Sequence, residues 1–173
     1  MKNVLKFSGA IAFVLGLVAF ILMMATNSVV YNDGTITGWY SGVSAIFAGG
    51  SYKIGVGGIS GVVDFDGTLA WNALLAWIFI LVAMIIVCLG VVLPLLKVKA
   101  LDKFSGILNL VAIGLFVVGG VLLFFTLPVF GEANNFTSYD YFGLGAGWII
   151  AGILSIIAGG AAALPVISQI IKK

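Results

Sequence analysis

The side chains that could do chemistry in this chain are few and scattered. Five of the six acids, Asp33, Asp64, Asp66, Glu132 and Asp140, fall on one side of the apolar runs, and the sequence holds no histidine for general base work. Asp64-Phe65-Asp66-Gly67 opens like a calcium loop. That loop needs further oxygen ligands and a closing glutamate, whereas here the chain passes directly to Trp71 and an apolar run. The segment reads as a turn that ends a strand. Gly55-x-Gly57-x-x-Ser60 falls short of a dinucleotide fingerprint, because no strand–helix crossover unit follows it. Asn135-Phe136-Thr137 spells a glycosylation acceptor, meaningful only in a eukaryotic host. The single cysteine, Cys88, can form no intrachain disulfide and reads as a small apolar side chain. Asn109 lies inside an apolar run with no ionisable companion in any run, so it reads as an amide that bridges helices. No catalytic, cofactor-binding or metal-binding set assembles, and the expectation is a protein that is not an enzyme.

The elements that position these residues are membrane helices. The 173 residues are 62% hydrophobic and 8% charged, against roughly 25% charged in ordinary soluble domains. Four apolar runs predict helices over about 5–26, 69–96, 104–128 and 142–170. Each reaches the ~20 residues needed to cross a hydrocarbon core, and the runs are too long and continuous for strands of a membrane barrel. Lys2, Lys6, Lys97, Lys99, Lys103, Lys172 and Lys173 fall on one side of the bundle; only Lys53 falls on the other, with most of the acids. The positive-inside bias therefore predicts both termini in the cytoplasm and a multi-pass protein of the plasma membrane. Tyr31, Trp39, Trp71, Trp77, Tyr139, Tyr141 and Trp148 cluster toward the outer ends, as interfacial aromatics do. The first run lacks a small-x-small cleavage site at Met23–Ala25 and is expected to be retained. All basic residues being lysine suggests a bacterial source. The net charge of +2 makes nucleic acid a poor partner and membrane lipid a better one.

Lys6-Phe7-Ser8-Gly9 opens the first run and Lys103-Phe104-Ser105-Gly106 the third. Leu93-Pro94 and Leu164-Pro165 mark the ends of the second and fourth. The order of these marks suggests two tandem helical hairpins. In lipid, helices associate through small residues that let backbones approach. Gly143, Gly147, Ala151, Ser155, Gly159 and Ala163 recur at every fourth position of the fourth run, and Ser8, Ala12 and Gly16 form a shorter series in the first. Ala76, Ala83 and Gly90 recur at seven-residue spacing in the second. The segment 27–68 alternates β-branched residues around an Asn32-Asp33-Gly34 turn, then again near 51–56 and 59–66. It predicts an antiparallel sheet of three to five strands in an extracellular loop, with only a short aromatic loop between the third and fourth helices.

The fold class expected is thus an all-α membrane protein, a four-helix bundle with a small antiparallel sheet in its first extracellular loop. In layout it resembles claudin-type tetraspan proteins, with termini inside, a long β-rich first loop and a short second one. Around Trp39 it departs from that family's pattern, lacking the Gly-Leu-Trp and paired cysteines. The expected function is a non-enzymatic interaction or structural protein. It would form homo-oligomers, or serve a larger membrane complex, through its sheet and small-residue helix faces. A small oligomeric channel or transporter subunit is the alternative.

Overall fold

A computed structural model describes residues 2–95 and 102–171, with side chains described for 7–90 and 107–167. The seven lysines used for orientation, Leu93-Pro94 and most of the two Lys-Phe-Ser-Gly marks lie outside the described side chains. In chain order the elements are α1 (Lys2–Ala25), β1 (Asn27–Asn32), β2 (Ile36–Ser41), α2 (Gly42–Phe47), β3 (Ser51–Val56), β4 (Ile59–Asp64), α3 (Trp71–Leu95), α4 (Asp102–Phe124), α5 (Thr126–Ala133), β5 (Phe142–Leu144) and α6 (Ala146–Ile171). Helices α1, α3, α4 and α6 are long and apolar enough to cross a membrane.

These four helices form a ring in the order α1, α3, α4, α6, in which α1–α3 is the least extensive seam. Among the described residues, side chains from all four helices reach the interior. Phe116 is wholly buried at its centre and reaches across from α4 to α1, where Gly16 leaves a notch. A Cβ at Gly16 would lie 2.7 Å from Phe116 Cε1 and 3.0 Å from Met84 Cγ. Ala12, Ala19, Ala76, Ala83, Ala112, Ala151 and Ala158 line the remaining seams, all inaccessible. Between α4 and α6 the approach is closer still. A Cβ on Gly120 would sit 2.7 Å from the Gly152 carbonyl oxygen, and one on Gly152 3.1 Å from that of Gly120. Such contact supplies the dispersion attraction that replaces the hydrophobic effect in lipid.

Polar side chains join the helices where no water can compete. Ser155 Oγ donates to the Phe116 carbonyl at 2.7 Å, Asn72 Nδ2 to the Leu122 carbonyl at 2.9 Å, and Trp148 Nε1 to Thr126 Oγ1 at 3.1 Å.

The structure corrects two helix limits and the membership of one face. The third long helix stops at Phe124 rather than continuing to 128, because Pro128 has no N–H to offer the Phe124 carbonyl; a separate short helix, α5, starts at Thr126. The fourth starts at Ala146 rather than 142. Residues Phe142–Leu144 instead pair with Tyr31–Val29 as strand β5, so Gly143 is a sheet residue and not part of a helix-packing stripe. The remaining every-fourth series stays packed from Gly147 to Gly159 and turns partly outward at Ala163. With 3.6 residues per turn, each step of four drifts about 40° around the axis. The buried line follows Trp148, Ala151, Ser155, Ala158 and Ala162, a spacing near 3.5, and Ala163 is only half-buried.

The five strands make one antiparallel sheet in the order β4-β3-β2-β1-β5, so four come from 27–68 and the fifth from the connection before α6. A bulge between Asn27 and Val29 is held by Ser28, whose buried Oγ donates to the Tyr40 and Ser41 carbonyls.

Candidate interaction surface

The sheet sits directly on one end of the bundle, and its backbone connects to helix termini. Gly42 N–H donates to the Thr26 carbonyl at 2.8 Å, and Gly145 N–H to the Ser28 carbonyl at 2.9 Å. Gly145 passes so close to Asn27 that a Cβ there would collide with the Asn27 carbonyl.

Alternation places Val29, Tyr31, Tyr40, Tyr52, Phe142 and Leu144 on one face. That face is roofed by α5 and the segment after it. Tyr40 is the hub, with ring centroids 5.3 Å from Phe130, 5.4 Å from Phe65 and 5.5 Å from Tyr52. Phe136 stacks on Phe142 at 4.3 Å. Burial raises the Tyr40 hydroxyl pKa. A single amide fastens the roof. Asn134 Oδ1 accepts from Thr68 N–H at 2.7 Å, while its Nδ2 donates to the Thr68 and Phe130 carbonyls at 2.9 and 2.8 Å.

The Asn32-Asp33-Gly34 turn lies where the sequence placed it. Gly34 has φ +89° and donates to Asn32 Oδ1. Asp33 accepts from the Ile36 and Thr35 N–H groups at 2.7 and 2.9 Å and from Tyr31 Oη at 2.8 Å. These bonds, the Ile36 amide foremost, hold its carboxyl below the usual 3.8. Donation to Asp33 raises the Tyr31 hydroxyl.

At the far edge the covering ends. All six residues of β4 are exposed, Ile59 at 80% and Val62 at 65%. The strand pairs with β3 without a bulge, from Val56↔Ile59 to Ser51↔Asp64. Its second side is unpaired, since β4 ends the sheet. It contains no proline and no lysine, the residues with which proteins ordinarily blunt an edge.

The remaining sequence candidates fall elsewhere. Ser8, Ala12 and Gly16 are buried inside the bundle. Ala151 and Ser155 are wholly buried, and Gly159 packs on Val117, Ile113 and Phe116 of α4, while Gly147 meets Thr26. These small faces are thus occupied within the chain. Asn109 is half-buried, and its Oδ1 faces Gly90 of α3, where a Cβ would lie 3.5 Å away. Cys88 lines an apolar recess of about 210 Å³ on the α1–α3 seam with Phe13, Leu81, Met84, Ile85 and Leu89. The five acids are dispersed: Asp33 in a turn, Asp64 at the end of β4, Asp66 before α3, Glu132 in α5, and Asp140 bonded to Ser138. Among the described residues no cluster of three or more metal-ligating side chains forms.

Sequence reasoning missed Asn72, Thr126 and Trp148 as interhelical donors and acceptors, Asn134 as the loop clasp, and β5 as a strand. Compared with known proteins, the chain matches no family model and no curated sequence.

Proposed function

We propose that this chain is a non-enzymatic membrane interaction protein that offers an uncapped sheet edge to a partner. The observation that carries the reading is β4, six residues long, exposed throughout and apolar at Ile59, Val62 and Val63. A row of unpaired N–H and C=O groups flanked by apolar side chains is a template for strand addition. The lysine distribution supports placing the sheet outside the plasma membrane of a bacterial cell, with both termini in the cytoplasm. The layout remains similar to that of claudin-type tetraspan proteins.

The small-residue helix faces contribute to the bundle itself, which leaves the sheet as the surface for assembly, whether into homo-oligomers or as an accessory subunit. The packing around Phe116 favours this reading over a channel or transport path through a single bundle.

Gentle extraction of the full chain followed by native mass analysis tests it. The expected result is a homo-oligomer or a defined heteromer that disappears in Ile59→Lys. A monomeric wild-type protein, with no lateral crosslinks in native membranes, would sink the proposal.

A further inference from the structure

We infer that the partner at β4 is a second copy of this chain, paired antiparallel with its own β4 about Gly61; the inference rests on the interaction reading above. Backbone parity sets the terms. Gly57 and Gly58, both at positive φ, make a two-residue turn that closes on the Val56–Ile59 pair. Counting from that hydrogen-bonded pair, Ile59, Gly61 and Val63 direct their N–H and C=O groups to β3. Ser60, Val62 and Asp64 direct theirs to the open edge.

An antiparallel copy must set outward residues against outward residues. Two registers do so over most of the strand. One is centred on Gly61, with Ser60 opposite Val62 of the other copy; the other is centred on Val62. The Gly61 register places Ile59 against Val63 of the second copy, twice over by symmetry, and so covers the most exposed apolar side chain of the sheet. The Val62 register leaves Ile59 without an opposite strand residue and sets Asp64 beside Ser60.

Charge points the same way. Asp64 is the only charged residue in β4. In-register parallel pairing would oppose it to itself, whereas antiparallel pairing about Gly61 sets it against the uncharged Gly58 turn. The space above Gly61 on the sheet face is open, with no neighbour within 4 Å of a Cβ built there, so a cysteine side chain at this position meets no obstruction. Copies confined to one membrane also present this identical edge to one another at a local concentration that a soluble segment does not match.

The test is disulfide trapping in native membranes, in a full-length Cys88→Ala background with single cysteines at positions 60, 61, 62 and 63. Gly61→Cys opposes itself in the proposed register and is expected to give dimers several-fold faster than its neighbours. Val62→Pro, which removes one outward N–H and none that faces β3, is expected to abolish that crosslink while leaving the circular dichroism unchanged. A peak at position 62, or crosslinking that survives Val62→Pro, overturns the pairing. So does native mass analysis showing an oligomer with no trapping at any of the four positions, although the interaction reading would then stand. A monomer that shows no trapping overturns both.

Discussion

Strands β5 and β4 close the same sheet at opposite edges, yet β5 has three half-buried residues and β4 has six exposed ones. On β5 the chain runs at once into α6, Gly145 docks on β1, and Phe136 covers Phe142. Around β4, among the described residues, nothing comparable exists: the neighbouring Gly57–Gly58 turn is open, and the side chains of Ile59 and Val62 are exposed. Both edges face the same aggregation hazard, and shortness plus covering removes it at only one. An unprotected edge beside a carefully protected one is more readily explained by use than by neglect.

Damage to the protected edge is expected to have the largest effect. Gly145→Val forces a side chain into the Asn27 backbone and should cost about 3 kcal/mol, read as a lower midpoint in thermal unfolding of detergent-solubilised protein; an unchanged midpoint would show that the seat of β5 can yield. Asn134→Ala releases the exposed Thr68 N–H and carbonyl to water and should cost about 0.5–1.5 kcal/mol, seen as faster hydrogen exchange at Thr68. Ile59→Lys, on the open edge, should alter stability by less than about 0.5 kcal/mol while removing association. The smallest effect is at the β1–β2 turn. Because the Asp33 carboxyl titrates below its usual 3.8, its contribution is complete above that value and is lost as pH falls through the lower folded one. Asp33→Asn should flatten this acid response in a titration followed by NMR at Thr35 and Ile36.

The four long helices and the β1–β2 and β3–β4 hairpins were legible because hydropathy and turn chemistry are local. The helix limits were less so. Phe142-Gly143-Leu144 is apolar and could begin a helix as well as form a strand; only β1, more than a hundred residues earlier, decides the matter by accepting its backbone groups. The every-fourth series in α6 was legible from Gly147 to Gly159, and its turn partly outward at Ala163 follows the drift of the helix. Asn72 and Thr126 lie near helix ends, where polar residues are ordinary, so nothing local marked them as buried partners of Leu122 and Trp148. The openness of β4 depends on what the rest of the chain leaves uncovered, and its sequence looks much like that of β1.

The hydrogen bond between Trp148 and Thr126 also makes the protein its own optical probe. Trp148 is wholly enclosed where α6 meets α5, whereas Trp71 is 57% exposed at the start of α3. With the half-buried Trp39 and Trp77 replaced by phenylalanine, an aqueous quencher should therefore extinguish the Trp71 emission and spare a residual from Trp148. Loss of that residual would report the sheet lifting from the bundle before any helix melts.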